Sequence, residues 1–587
     1  MGSSFGAGCL LSLILGYSTA FHTSLPGASN SKCLIHASQN SGSSTLVRAR
    51  PSARSGAGAS GVLQATIDDT ARTTSAPPQD EVVVTPREEG DVKWPYDWRK
   101  QWYGVGYECD FPKGEKPFGV TIFDEPMVLF RDGDGILHCV SDLCPHRASK
   151  LSEGMVTDGN IECLYHGWQF DGKTGSCVHV PQLPEGAKPP HAANLRVYPL
   201  AIREGIVYIW MGDDPWGEGA KDILPVPCTE DDLDKNEPGF VYRFVIDLPY
   251  DWSYLTENLL DPAHIPISHH ATEGGGDRSQ AGPISFEMVT EGPKAPSPRG
   301  FSAKVMNLAL VVKGNKRPAN YRFEAPGIIY LRSPKDTAED GPADEKQKPG
   351  MLFGAQLHNT PLGRGRSRLL FNTYGLNVPP VLKLLVKMKP NYLRHLNSCK
   401  VLEQDVAMIC AQEDHAARTG QSLAESFLPI KSSDGMVVEL RKWLDRVGHG
   451  MPHYMGWKTS KLPVEQLSDH ETNQVPKHRS RQSRFYNHVV LSECTRTALK
   501  KVIKVKRASL TAAGILAAAA LLISCTVGAA PPVASAGAAA AVGGFSKRGL
   551  AGIATAVGAA VGLGLGAAAQ KLEGHFYDNF ERHPTLV

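Results

Sequence analysis

The spacing of hydrophobic residues changes three times along the chain. From Trp94 to Trp210 apolar residues come in short runs: Phe118 to Phe130, Ile136 to Val140, and Gly205 to Trp210. Asp132-Gly133-Asp134-Gly135 separates the first two, and Asp-Gly pairs tolerate the positive φ of a tight turn, so the pattern predicts strands joined by hairpins. Phe170-Asp171-Gly172-Lys173-Thr174-Gly175 repeats it. Residues 94–215, opening on Trp94, Trp98, Trp102 and Tyr103, therefore predict a small antiparallel β domain. Tyr242 to Asp247 predicts one further strand. Later the period becomes helical, with Leu402, Val406 and Ile409 on one face.

Beyond Lys500, Lys501, Lys504, Lys506 and Arg507 the pattern changes again, with no charge from Ala508 to Ser546 or from Gly549 to Gln570. A membrane span needs about 20 apolar residues. Ala508 to Ala530 supplies them through Leu510, Ile515, Leu516, Leu521, Leu522 and Ile523, and Pro531-Pro532 ends the run. The second stretch is Ala- and Gly-rich, but Gly558, Gly562 and Gly566 recur at a spacing that lets two helices approach closely. A helical hairpin over 508–570 is expected, the other reading being a low-complexity linker. The basic residues before it put the preceding domain on the positive side of the membrane.

The N-terminus reads as targeting sequence. Gly8 to Gly16 is apolar and closes on Tyr17-Ser18-Thr19-Ala20, like a secretory h-region and cleavage site, although no Lys or Arg precedes it. No acid appears before Asp68, while Arg48, Arg50 and Arg54 stand among Ser, Ala and Gly, as in a transit peptide. Ala20-Phe21 resembles the junction of two-step plastid leaders, so 1–74 is read as leader and 75–93 as linker; a single-step leader or a plain tail is the alternative.

At 587 residues the chain exceeds one core and allows two or three domains plus tails. Net charge is +2, from 62 Lys+Arg against 60 Asp+Glu, which provides no general field for nucleic acid. Of the twelve cysteines only Cys144 and Cys163 fall into a motif, unlike a disulfide framework, and a reducing compartment fits.

Those two cysteines open the chemistry. Cys144-Pro145-His146-Arg147 and, sixteen residues on, Cys163-Leu164-Tyr165-His166-Gly167-Trp168 each bring one thiolate and one imidazole. Cys₂His₂ suits a [2Fe–2S] cluster with both histidines on one iron, a Rieske centre; a zinc site takes the same ligands. Further on, Asn258, Asp261, His264 and His269 form N-x-x-D-x-x-H-x-x-x-x-H. Two imidazoles and one distant carboxylate make the facial set of non-heme Fe(II) oxygenases, leaving positions open for O₂. Asp405, Glu403 and Asp414 compete for the carboxylate.

Together with Leu151-Ser152-Glu153-Gly154, Glu257-Asn258, Asp261-Pro262-Ala263-His264, His269-His270 and the segment Asp405 to Glu413, these residues resemble the Rieske non-heme iron oxygenases over about 94–500. The resemblance is to the plastid branch that contains pheophorbide a oxygenase, chlorophyllide a oxygenase, protochlorophyllide-oxidising relatives and a Rieske subunit of the inner-envelope translocon. It implies an α+β fold: an antiparallel β Rieske domain, a helix-grip-like α+β catalytic domain over 216–480, a basic linker over 481–507, a C-terminal transmembrane helical hairpin, and a tail over 571–587. It implies that Cys144, His146, Cys163 and His166 hold the cluster and that His264, His269 and Asp405 hold Fe(II). It implies that Asp261 joins His264 to a cluster histidine of a neighbouring subunit in a homotrimer, and that Asn258 lies beside the iron. Reduced ferredoxin, O₂ and an apolar tetrapyrrole are the implied partners, at a thylakoid or inner-envelope membrane with the catalytic part in the stroma. The branch often carries C-x-x-C before its tail; Leu491-Ser492-Glu493-Cys494 keeps only the second cysteine.

Overall fold

The computed structural model describes residues 94–111, 114, 116–213, 220, 223–225, 240–272, 276–292, 295–308, 317–332, 352–448, 456–458, 483–528 and 547–577. The leader over 1–74, the linker over 75–93, Pro531-Pro532 and residues 578–587 lie outside them.

The first domain is built from three small antiparallel sheets. β1 (Trp102–Tyr107), β9 (Leu200–Arg203) and β10 (Ile206–Trp210) form one, in the order β1-β10-β9. β2 (Phe118–Ile122), β3 (Glu125–Arg131) and β4 (Leu137–Ser141) form the second; β5 (Met155–Thr157), β6 (Asn160–Glu162), β7 (Gln169–Phe170) and β8 (Cys177–His179) form the third. Val120, Leu129, Val207 and Ile209 fill the core between the first two, whereas Val128, Phe130, Ile161 and Phe170 fill the core beneath the third.

The run Phe118 to Phe130 is two strands, not one. The chain reverses at Phe123 and Asp124, both at positive φ (52° and 61°), without a glycine to mark the turn. Tertiary contacts hold it there. Phe123 and Asp124 donate their backbone N–H groups to Pro361 O and Leu362 O, and the Asp124 carboxylate accepts from Arg364 N and from the Arg366 guanidinium.

The second domain centres on a seven-stranded antiparallel sheet ordered β11-β17-β16-β15-β14-β13-β12. Its strands are β11 (Phe240–Leu248), β12 (Ser285–Met288), β13 (Gly300–Leu308), β14 (Arg317–Glu324), β15 (Ile328–Arg332), β16 (Leu352–Gly363) and β17 (Arg366–Leu376). Around it lie the helices α1 (Trp252–Leu260), α2 (Ile265–Ser268), α3 (Pro380–Met388), the 29-residue α4 (Asn391–Thr419) and α5 (Gly435–Val447). Val406 and Ile409 turn into the core with Phe244, Ile246 and Leu369 of the sheet, as their helical spacing predicts. This is the α+β architecture the sequence implies.

Trp94 and Trp98, which the sequence assigns to the opening of the first domain, pack in the second. Trp98 is 2% exposed, meets Trp252 and Trp443 edge-on at 5.5 and 6.0 Å, and donates its indole N–H to Val447 O at 2.8 Å. A residue alone could not reveal that destination, because an indole suits either core.

Two long apolar helices end the described chain, α6 (Glu493–Gly528) and α7 (Lys547–Gly574). Cβ atoms added to Gly558, Gly562 and Gly566 would stand 3.0, 3.0 and 2.7 Å from Leu516, Ala513 and Leu510, so the small-residue stripe seats α7 against α6. Both helices are long and apolar enough to cross a membrane. Their base also packs on the catalytic domain: Phe576 is fully buried in a cluster with Leu396, Leu499 and Val502, and Arg484 donates to His575 O at 2.6 Å. The hairpin thus also packs against the catalytic domain.

Gly363, at the β16–β17 turn, has φ +154°, and a Cβ there would meet Asp124 Oδ1 at 1.8 Å. Gly363→Ala should therefore destabilise the chain by about 1–3 kcal/mol, the range for a strained backbone or displaced contact. Urea unfolding followed by tryptophan fluorescence reads this, and an unchanged midpoint would mean the two domains do not meet at this turn.

Candidate functional site

Two loops at the tip of the first domain carry the Cys/His pairs, and they share one backbone form. Ala148 N–H donates to Cys144 O and Cys144 N–H to Ser149 O, both at 2.9 Å; Gly167 N–H donates to Cys163 O at 2.8 Å and Cys163 N–H to Trp168 O at 2.9 Å. The fourth residue after each cysteine takes positive φ, 54° at Ala148 and 75° at Gly167. At Gly167 a Cβ would press to 2.9 Å from Pro181 Cγ, which accounts for glycine in that loop.

The ligand types separate by depth. Cys144 and Cys163 are 2% and 1% exposed, whereas His146 is exposed and His166 half-buried. The imidazoles lie side by side, ring centroids 4.5 Å apart, and His146 stacks on Trp168 at 4.7 Å. Gln182, which follows β8, braces this tip, accepting from the Trp168 indole at 3.2 Å and donating to His166 O at 2.9 Å. Burial pushes the Cys144 thiol up, against a hydrogen bond from the His146 backbone N–H and with the Cys163 thiol adding to the rise. A thiol placed like that of Cys144 ionises only for a cation. A sulfur end inside and a nitrogen end outside suit two irons bridged in a cluster, with thiolates on the inner and imidazoles on the outer one.

The second constellation forms where α1, α2 and α4 meet. Asp251 caps α1 by accepting from Ser253 N at 3.0 Å, and its own N–H donates to Glu413 on α4 at 3.1 Å. Glu257, on the inner face of α1, accepts from the buried Arg441 of α5 at 2.6 Å. With α1 thus fixed, His264 stands at the start of α2 and His269 at its end. Asp405 reaches them from α4: its Oδ2 lies 3.6 Å from His264 Nε2 and 3.3 Å from His269 Nε2. One ligand atom from each of the three residues falls within 4.8 Å of the other two, a spacing one metal ion can bridge.

The outer nitrogens set the inner ones. His269 Nδ1 lies 2.8 Å from Gln404 Oε1, which can only accept, so Nδ1 carries a proton and Nε2 is the nitrogen turned toward Asp405. His264 Nδ1 lies 3.3 Å from Asp261 Oδ2, while Asp261 Oδ1 accepts from Ala263 N at 2.8 Å. Asn258 Nδ2 approaches both His264 Nε2 and Asp405 Oδ2 at 3.4 Å. Burial disfavours charge on His264, yet Asp261 and Asp405 outweigh it and raise its pKa to about 10. Burial alone would raise Asp405, but both histidines hold its carboxyl far below the usual range. Asp405 Oδ1 is buried without a hydrogen-bond partner. Both shifts report one demand, for positive charge at this point. Neutral imidazoles with a carboxylate fit Fe(II).

Of the three competing acids the fold brings Asp405 to the histidines. Glu403 points to the other side of α4, where Arg484 donates to both its oxygens at 2.7 and 2.5 Å. Asp414 lies nine residues further along α4 and is half-buried. Sequence reasoning missed Gln404, which also donates to Thr272 Oγ1 at 2.7 Å and so braces the loop after His269. The available signal was its place beside Asp405 together with the need of any ligating imidazole for an acceptor on its far nitrogen.

Known proteins resemble this chain in two segments. The family model described as Rieske [2Fe-2S] domain matches residues 101–199, and that described as pheophorbide a oxygenase matches residues 323–422. The chain is 37% identical over 385 residues to protein TIC 55, chloroplastic, of Arabidopsis thaliana, covering 65% of this chain and 66% of that one, just under two thirds of the relative. It is 29% identical over 393 residues to pheophorbide a oxygenase, chloroplastic, of the same plant, covering 63% and 68%. Among solved structures, dicamba monooxygenase bound to dicamba is similar with a TM-score of 0.46 and 22% identity, covering 60% of this chain and 97% of that one. The Rieske domain implies a [2Fe–2S] cluster, and proteins of this kind use an electron donor and O₂. The chain thus carries a Rieske [2Fe-2S] domain and a segment that matches the pheophorbide a oxygenase family model, and it is similar to TIC 55 and pheophorbide a oxygenase.

Proposed function

We propose that this chain is a plastid membrane-anchored oxygenase that takes electrons from reduced ferredoxin and inserts oxygen from O₂ into a chlorophyll-derived tetrapyrrole, with opening of the pheophorbide a macrocycle as the first candidate reaction. The convergence of His264, His269 and Asp405 within 4.8 Å supports an O₂ site, because a protein that only relays electrons has no use for a second metal site with open positions. Cys144, His146, Cys163 and His166 hold the [2Fe–2S] cluster, and His264, His269 and Asp405 hold Fe(II). When bound, the cluster delivers single electrons and the iron binds and activates O₂.

The chain's own residues prepare that site. Gln404 accepts a hydrogen bond from His269 Nδ1, and the Asp261 carboxylate, 3.3 Å from His264 Nδ1 but outside hydrogen-bond geometry, favours a proton there by its charge, so that both Nε2 atoms are left for the metal. Asp405 supplies the negative charge that offsets the cation, and Asn258 offers an N–H beside the open face. Asp261 keeps a quarter of its side chain exposed, so a cluster histidine of a neighbouring subunit can reach its carboxylate in a homotrimer. An apolar substrate dissolved in lipid favours an enzyme tethered there by α6 and α7, with the catalytic part on the stromal side, where the basic residues preceding the hairpin lie. The chloroplastic relatives support the plastid.

A second reading follows from the higher identity to TIC 55: a redox-responsive component of the inner-envelope protein translocon in which oxygenation is secondary. Side-chain oxidation of chlorophyllide or protochlorophyllide, or hydroxylation of another plastid apolar compound, is the nearest enzymatic alternative. Reduced protein incubated with pheophorbide a, chlorophyllide a and protochlorophyllide under ¹⁸O₂ decides among these. Mass analysis should show ¹⁸O in one pigment product; no labelled product from any pigment, with both metal centres full, would favour the translocon reading.

Asp405→Ala is expected to keep the Rieske absorbance, lose most of the mononuclear iron and form no ¹⁸O product. Glu403→Ala should keep its iron and lose stability instead, since Arg484 is left buried without its carboxylate. Iron retained by the first and lost by the second would move the ligand role to Glu403. Gln404→Leu should weaken iron binding by about 10- to 100-fold, the usual effect of removing a hydrogen-bond partner from a ligating imidazole, with the cluster spectrum unchanged. Titration of apo protein with Fe(II) measures this, and unchanged affinity would remove Gln404 from the site.

A further inference from the structure

We propose that α3 lies in the membrane interface as an in-plane amphipathic helix, with Val381, Leu384 and Met388 inserted among the lipids of a bilayer that carries anionic headgroups. The proposal rests on reading α6 and α7 as membrane-spanning.

One side of α3 belongs to the catalytic domain, where Val386 is buried in the core and Leu382 packs against it. Val381, Leu384 and Met388 follow the i, i+3, i+7 rule of a single helical face, yet they are 71%, 60% and 66% exposed. Single exposed apolar residues are ordinary on a protein surface. Three in one stripe on nine residues, with the exposed Lys383 and Lys387 on the adjoining arc, form the pattern of a helix resting on lipid.

The position of α3 identifies the occupant as lipid. Lys389 and Pro390 join α3 to α4, and Arg394 on α4 donates to Val386 O at 2.5 Å and to Lys389 O at 2.9 Å, which locks the two helices together. The next residues of α4 touch the hairpin: Tyr392 stacks on Phe576 at 6.1 Å, and Leu396 shares a cluster with Leu499, Val502 and Ala569. Aromatic rings gather at the same level, with Phe485 stacked on Tyr577 at 5.1 Å and Tyr486 70% exposed. Tyrosines at the end of an apolar span mark the headgroup layer. Lys500, Lys501, Lys504 and Arg507 add positive charge along this stretch of α6. From Leu499 to Ala508, where the uncharged stretch begins, α6 rises about 13 Å. That is roughly the length of α3 itself.

The test uses the full chain in lipid nanodiscs containing phosphatidylcholine and phosphatidylglycerol, with a tracer lipid bearing a photoactivatable diazirine near the acyl carbonyl. After illumination and proteolysis, mass mapping locates lipid adducts. Adducts on the peptide containing Val381 to Met388, together with adducts on α6 and α7, are expected. Adducts on α6 and α7 without α3 would overturn the interfacial helix and leave the hairpin reading intact. Adducts on α3 without α6 and α7 would support the helix as a lipid contact and remove the hairpin, and adducts on none of them would overturn both. Leu384→Asp/Met388→Asp should abolish the α3 adducts while the hairpin adducts and Rieske absorbance persist. Lys383→Glu/Lys387→Glu, which leaves the apolar stripe intact, should lose α3 adducts in discs containing phosphatidylglycerol; undiminished labelling of this variant would overturn the anionic-headgroup part. Crosslinks from α3 to a second copy of the chain, in place of lipid, would reassign the stripe to a protein interface.

Discussion

Three lone pairs directed at one another inside a protein are unstable unless a cation lies among them, and the second domain is arranged to create that situation. His264 Nε2, His269 Nε2 and Asp405 Oδ2 converge because Gln404 and Asp261 occupy the far sides of the rings. A proton can substitute on His264, which is why its pKa rises to about 10, but a proton leaves Asp405 Oδ1 unpaired. A divalent metal with open coordination positions answers both needs at once.

α4 carries this constraint through the molecule. Its middle bears Asp405 and Gln404, its flank bears Glu403 against Arg484, and its first turns carry Tyr392 and Leu396 against the base of the hairpin. Arg484 joins the two ends of this path, because it holds Glu403 with one part of its guanidinium and His575 O with another. The cluster of His264, His269 and Asp405 and the apolar helices therefore share one rigid element. Any tilt of the hairpin is borne by the helix that presents the carboxylate.

The Rieske domain solves a different problem, since its two loops must bury thiols and expose imidazoles at the same tip. The shared turn after each cysteine achieves this with one positive φ per loop, and His146 stacked on Trp168 and Gln182 bound to His166 O fix the outer end. The domain docks on its neighbour through backbone groups: Arg368 donates to Val105 O at 2.7 Å while paired with Asp247. The turn at Phe123 and Asp124 completes that contact from the other side.

The sequence by itself determined what depends on local spacing. The C-x-H and C-x-x-H loops, the paired histidines around one short turn of helix, the helical period of Leu402, Val406 and Ile409, and the glycine stripe that seats α7 on α6 were all legible, because each is a relation among residues close in the chain. Tertiary structure alone decided relations across long separations. Asp405 prevails over Glu403 because α4 turns one acid toward α2 and the next-but-one toward Arg484, a rotation no spacing reveals without the packing of α1 and α5. The reversal at Phe123 and Asp124 carries no glycine signal because the β16–β17 turn supports its positive φ from more than two hundred residues away. Trp98 leaves its sequence neighbours for the core of Trp252 and Trp443 for the same reason: a large apolar ring goes where a cavity of its shape forms, and that cavity exists only after the whole chain has folded.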